Sequence, residues 1–265
     1  MSRAVMAFAL LALSALSPTP AGAQAAFSAQ QLADLSFRQH PGAKLPLDAA
    51  LVDEEGRPVR LGDFFSGKPV IVVLDYLHCK TLCGFVLGNL AQALAHVPLD
   101  AGKDFDVVAV SIDPRETPQN ARAARAQYLA RYDRAGTGGG WHFLAGTADE
   151  VRRVADTVGF PYRYDKEADQ FAHPAGFAIV APDGTIARYI LGVDYVPLDL
   201  RLALTEAGRG TISSPVTDLL LLCYCYDPQT GRYGAAIGNA MRAAGGLTVL
   251  GIAAMIVRLS RPRRV

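Results

Sequence analysis

The sequence predicts an α/β domain built around a mixed β-sheet. Short runs of β-branched and apolar residues alternate with segments of helical periodicity through the middle of the chain, a pattern typical of strands buried between helices. The last strands form a hairpin and not a strand–helix pair, so the sheet should contain antiparallel as well as parallel neighbours.

The predicted domain begins with a hairpin and two buried strands. After a polar, extended lead-in over residues 27–45, Glu55-Gly56 supplies the hairpin turn. The first buried strand covers residues 70–76, where β-branched and apolar residues follow one another without interruption. The second runs through DFDVVAVSI and ends before Pro114.

A helix is predicted after each of these two strands. Apolar residues recur at helical spacing over residues 85–97, and Pro98 stops that helix. Thr117 is a favourable N-cap and Pro118 a favourable first helical residue, so a second helix should run from there to about Tyr132.

The remaining elements complete the alternation. A short strand in WHFLAGT leads to a third helix, which Thr147 caps with Glu150 three residues later. A hairpin with its turn at residues 182–184 follows, and a last helix is predicted from about Pro197 to Ala207.

The chain has an excess of apolar residues, and this excess lies at its two ends. Hydrophobic residues make up 51% of the 265 residues and the mean hydropathy is +0.18, which is high for a wholly soluble protein. The net charge of +1 gives no indication of a nucleic-acid surface.

Residues 1–23 are predicted to be a cleaved secretory signal peptide. Arg3 precedes an apolar stretch, and Ala21-Gly22-Ala23 supplies the small residues that a signal peptidase recognises. The alternative is an uncleaved membrane anchor, although the apolar run is short for a span.

Residues 235–259 are predicted to form a transmembrane helix. The uncharged stretch 243–257 covers about 22 Å, and it becomes long enough if Arg242 and Arg258 reach to the two interfaces. The alternative is an Ala/Gly-rich core helix. The basic tail, residues 260–265, should stay in the cytoplasm.

The two ends predict one topology. The α/β domain, residues 27–210, would face the periplasm from the bacterial inner membrane, joined to the anchor by a cysteine-containing linker over residues 211–234.

Cys79 and Cys83 lie between the first buried strand and its helix. A thioredoxin-like fold keeps its reactive thiols at this junction, where the helix N-terminus stabilises a thiolate. The spacing allows a disulfide, and it also suits two thiolates on one ion such as Cu(I), zinc or an iron–sulfur cluster. A third ligand would then come from elsewhere.

The chain has five histidines, and sequence alone does not single out a ligand. We expect a solvated or structural role for His40, His78, His96 and His142. His173 lies in the loop before the last hairpin, and in a thioredoxin-like fold this loop abuts the cysteine site.

Three features together resemble the Sco/SenC family of copper chaperones. They are the C-x-x-x-C pair, SIDPRETP at residues 111–118, and His173 ahead of APDG. Over residues 40–210, the resemblance implies a thioredoxin-like domain that binds copper and helps to metallate cytochrome c oxidase. It also implies Cys79, Cys83 and His173 as ligands, and a redox-active disulfide between the cysteines.

The implied site suits Cu(I), and it can accept Cu(II) with added oxygen ligands. The expected partners are the copper-site subunit of the oxidase, a periplasmic thiol reductant and the membrane, but no nucleic acid. Lys80 and Gly84 stand where family members often carry proline, and Lys80 would favour the thiolates electrostatically.

A second cysteine pair, Cys223 and Cys225, lies between the domain and the predicted anchor. One interpretation is functional, with the pair acting as an auxiliary copper site or in thiol transfer. The other is that the pair forms a structural disulfide or stays as two free thiols, and the sequence favours this second interpretation. In a strand the two side chains would face opposite ways.

The main hypothesis is that the protein is a copper donor and not an enzyme. The alternative is a membrane-tethered thiol–disulfide reductase that keeps the copper-site cysteines of the oxidase reduced. A redox or copper sensor is a third possibility, whereas a haem protein is disfavoured because C-x-x-C-H is absent.

Overall fold

The computed structural model describes residues 34–77, 84–166, 169–212, 226–227, 232–233 and 248. The predicted signal peptide, all four cysteines and nearly all of the predicted transmembrane helix lie outside these residues. Within the described ranges, no helix has the length and apolar character that a membrane crossing requires.

Besides two short 3-10 helices, Leu61–Phe64 and Gly138–Gly140, the described chain forms four α-helices and eleven strands. These are β1 (Ala50–Val52), β2 (Pro58–Arg60), β3 (Val70–Asp75), α1 (Gly84–Ala95), β4 (Asp106–Ser111), α2 (Pro118–Tyr132), β5 (Trp141–Gly146), α3 (Ala148–Val158), β6 (Arg163–Asp165), β7 (Gln170–Ala172), β8 (Gly176–Val180), β9 (Ile186–Leu191), α4 (Pro197–Gly208), β10 (Tyr226–Asp227) and β11 (Arg232–Tyr233).

Seven strands form one mixed sheet, as predicted. Their order is β2-β1-β5-β4-β3-β8-β9, so β2 and β9 are the edge strands. The central strands β3, β4 and β5 are parallel, whereas β1 and β8 join them in antiparallel orientation. The carboxyl ends of the three parallel strands therefore meet at one edge of the sheet.

Helices cover both faces of this sheet. One buried cluster joins α1, α2 and α4 to alternate strand residues such as Ile71 and Val73, and a second joins α3 to Val70, Val72 and Leu74. Because both faces are covered, every residue of β3 and β4 is buried. This explains the uninterrupted apolar runs in the sequence.

The helix boundaries follow local capping chemistry. The hydroxyls of Thr117 and Thr147 accept the backbone amides of Asn120 and Glu150, each at 3.4 Å, as their positions predict. Helix α3 ends at Gly159, which has φ +69° and donates its amide to the carbonyl of Asp156.

One element differs from the sequence-based expectation. Strands β6 and β7 pair with each other as a separate two-stranded sheet. From the sequence, no element was assigned to these residues, because strands of three residues give no detectable alternation. This hairpin leads directly into the loop that carries His173.

Candidate metal centre

The candidate site lies at the carboxyl edge of the central sheet. Strand β3 ends at Asp75 and helix α1 begins at Gly84, so residues 76–83 connect the carboxyl end of this strand to the helix. Cys79 and Cys83 belong to that connection but lie outside the described residues.

The sheet pairing brings His173 to the same edge. Strand β8 begins at Gly176 and runs antiparallel to β3, with Val72 opposite Ala178. Residues just before Gly176 therefore lie beside the carboxyl end of β3. His173 Nε2 is 3.7 Å from Asp75 Oδ1, and its ring centroid is 5.9 Å from that of Tyr76.

Aromatic rings enclose the His173 imidazole. It is stacked on Phe160 at 5.4 Å with an interplanar angle of 29°, and it meets Tyr76 nearly edge-on. Only 7% of its side chain is exposed. Such packing restricts the ring to one orientation.

The surroundings of His173 favour a neutral ring with its lone pair on Nε2. Burial lowers the pKa of His173 and outweighs the opposing effect of its bond to Pro174. Nδ1 lies 2.9 Å from the Pro174 carbonyl oxygen, which only accepts, so Nδ1 carries the proton. A neutral imidazole with a fixed tautomer is the form that binds metals.

Asp75 lies beside His173 at the candidate site, and it was given no role in the sequence analysis. Its carboxylate is 2% exposed and its Oδ1 accepts the backbone amide of Tyr76 at 2.8 Å. The pKa of Tyr195 is raised, mainly by burial and further by the negative charge of Asp75. The sequence did contain a signal for Asp75, because an acidic side chain directly follows the apolar run VIVVL.

The SIDPRETP motif fastens the β6–β7 hairpin to the end of β4. The Arg115 guanidinium donates to the buried Asp113 carboxylate at 2.9 and 2.7 Å, and to Asp169 Oδ1 at 3.0 Å. Arg115 Nη1 also lies 3.3 Å from the hydroxyl of Tyr164 in β6. Because β7 leads into His173, these contacts help to set the position of that loop.

The other described histidines behave as expected. His40 and His96 are exposed, and the half-buried His142 in β5 packs 4.5 Å from Phe64. Among the described residues there is no group of three or more His, Cys, Asp or Glu side chains that could hold a metal.

Several known proteins resemble this chain. The SCO1 protein homolog of Bacillus subtilis is 22% identical over 150 residues, which cover 56% of this chain and 74% of that protein. An electron transfer function has been assigned to a protein from Aquifex aeolicus whose crystal structure is known, and its sequence is 28% identical to this chain. It has a TM-score of 0.57 and covers 65% of this chain and 96% of its own.

A plant structure extends the likeness in fold. Arabidopsis thaliana ScoI, solved with copper bound, is 20% identical with a TM-score of 0.51, covering 64% of this chain and 99% of its own. The thioredoxin-like α/β fold with a mixed sheet, predicted from the sequence, is thereby confirmed.

The SCO1/SenC family model spans most of the described domain. It matches residues 40–196, which begin in the lead-in to β1, include the cysteine pair and His173, and end just before α4. This match covers more than half of the chain, and the chain therefore belongs to the SCO1/SenC family.

Proposed function

We propose that this protein is a membrane-anchored periplasmic donor that delivers copper to cytochrome c oxidase during its assembly. Membership of the SCO1/SenC family supports a copper-related role, and a copper-bound plant relative shares the fold. The observation that carries the proposal is the buried, neutral imidazole of His173, placed at the edge where the cysteine segment leaves the sheet.

The proposed ligands are Cys79, Cys83 and His173. Two soft thiolates and one imidazole select Cu(I), and the same donors accept Cu(II) when oxygen ligands are added. The fixed Nδ1–H of His173 leaves Nε2 as the donor atom. Since the thiols must lose their protons, copper binding should weaken in acid.

A donor must also release its cargo. Three protein ligands would leave the copper open to attack by ligands of an acceptor. No turnover is required of such a protein, so we propose a carrier and not an enzyme.

The proposed location rests on the two ends of the chain. A signal peptide over residues 1–23 and an anchor over residues 235–259 would place the domain, residues 27–210, in the periplasm, with the tail 260–265 in the cytoplasm. Protease added to spheroplasts should then digest the domain while the cells stay intact. Protection of the domain would contradict this topology.

A copper titration tests the ligand set. The full chain, purified in detergent with Cys223 and Cys225 replaced by serine, would be reduced and titrated anaerobically with Cu(I) against a competing chelator. We expect one copper per chain, lost on Cys79→Ser or Cys83→Ser. Binding that persists without either thiol would contradict the site. Restoring Cys223 and Cys225 shows whether that pair binds a second copper.

A thiol–disulfide reductase is the second candidate, because the Cys79–Cys83 pair lies between a buried strand and a helix, where thiolates are stabilised. His173→Ala separates the two functions. Copper affinity should fall strongly if His173 is a ligand, whereas disulfide exchange should largely survive. His96→Ala, at an exposed histidine, is the matched control and should change neither.

A further inference from the structure

Asp75 and His173 place two potential metal-binding atoms close together in the protein interior. The carboxylate oxygen Oδ1 and the ring nitrogen Nε2 are 3.7 Å apart, and the two side chains are 2% and 7% exposed. This separation is too long for a hydrogen bond. With the proton on Nδ1, Nε2 carries a lone pair, so both atoms can donate to a cation.

The distance fits a shared ion. Nitrogen and oxygen ligands of a first-row metal lie about 2.0–2.2 Å from the ion. Two such donors 3.7 Å apart subtend an angle of about 115–135° at the ion, a range that includes the trigonal value. The separation of the two atoms is therefore compatible with one copper ion bound to both Asp75 and His173.

We infer that Asp75 is a further copper ligand, and that it favours the Cu(II) state of the site. The inference rests on the proposed copper function and deepens it. A carboxylate is a hard donor that suits Cu(II), whereas the two thiolates favour Cu(I). Adding a third negative charge to the site also stabilises the ion of higher charge more, especially where water is excluded.

Asp75→Asn is the direct test. The amide keeps the size of the side chain and an oxygen that can accept the Tyr76 amide, but it loses the charge and most of the donor strength. Asp106→Asn is the matched control, because Asp106 is a buried carboxylate, 4% exposed, at the start of β4. It lies beside Val70, at the opposite end of β3 from Asp75.

The measurement compares the two oxidation states. Full-length variants, purified in detergent with Cys223 and Cys225 replaced by serine, would be titrated with Cu(I) and with Cu(II) against competing chelators. Asp75→Asn should weaken Cu(II) binding by about tenfold or more and Cu(I) binding by less than about threefold. The copper reduction potential should rise by about 59 mV for each tenfold selective loss, and the Cu(II) electron paramagnetic resonance spectrum should change.

Each other outcome overturns the inference. Equal weakening of both states would give Asp75 a structural role, and unchanged binding would remove it from the site while the copper function stands. Absence of copper binding in the unmutated protein would overturn the function together with the inference. If Asp75→Asn does not fold, Asp75→Ser is compared in the same way, and Asp75→Glu should restore Cu(II) binding in part.

Discussion

Phe160→Leu tests whether the stacked ring orients the His173 imidazole. Phe160 is 1% exposed and lies against two rings, those of Phe37 at 5.3 Å and His173 at 5.4 Å. Leucine keeps an apolar side chain in the core but removes both ring contacts.

The expected loss of stability follows from these contacts. The Phe37 pair contributes about 0.5–1.5 kcal/mol beyond its buried area, and the change of shape costs up to about 1.5 kcal/mol. Phe160→Leu should therefore lower the free energy of unfolding by about 0.5–3 kcal/mol. If the stack on His173 is of similar strength and serves to orient the ligand, copper affinity should fall by about two- to tenfold.

The assay combines urea unfolding of the apo protein with Cu(I) competition. Phe105→Leu is the control, since Phe105 is also fully buried but lies in the core cluster on the opposite face of the sheet from Phe160. Both variants should lose stability, and only Phe160→Leu should lose copper affinity. Equal copper affinities in the two variants would refute an orienting role for Phe160.

Three further predictions concern the scaffold. Gly159→Ala should lower the free energy of unfolding by at least about 2 kcal/mol, because at φ +69° the new Cβ would lie 1.7 Å from the backbone oxygen of Arg38. Gly42 also has a positive φ, +86°, but no atom lies near the position that a Cβ would take, so Gly42→Ala should cost only about 1 kcal/mol. Urea unfolding of the two variants measures both losses. Burial lowers the pKa of His142, so as pH falls the unfolded chain binds a proton at this residue before the folded chain does. The free energy of unfolding should therefore fall as pH drops below about 6.5. His142→Gln should make this pH dependence shallower, and an unchanged pH dependence would refute the role of His142. Arg115→Ala removes the partner of the buried Asp113, and it should lower the melting temperature and speed proteolysis of the β6–β7 hairpin; unchanged cleavage would show that Arg115 does not fasten it.

Local signals in the sequence were sufficient for most of the fold. The run at residues 70–74 is apolar because helices cover both faces of the sheet, and the caps at Thr117 and Thr147 act on residues three positions away. The β6–β7 hairpin was missed because its short strands depend on contacts with distant residues such as Arg115.

The candidate site could be predicted only in part. His173 was identified from the family resemblance, but its burial depends on Phe160 and Tyr76, which no local pattern connects to it. Asp75 and His173 meet because β8 pairs antiparallel with β3. Only the strand order of the folded sheet reveals that proximity.

The two edge strands also limit how other proteins can approach. In edge strand β2, Pro58 has no backbone N–H that could bond to an added strand. In edge strand β9, the backbone of Ile186 is already hydrogen-bonded to Gly42 and Ala43 of the lead-in. Arg188 adds a charged side chain to β9. Partner recognition by strand addition, and fibril growth by the same route, are therefore both discouraged. Under the proposed donor function, we expect a copper acceptor to contact loops and side chains at the carboxyl end of the central strands instead.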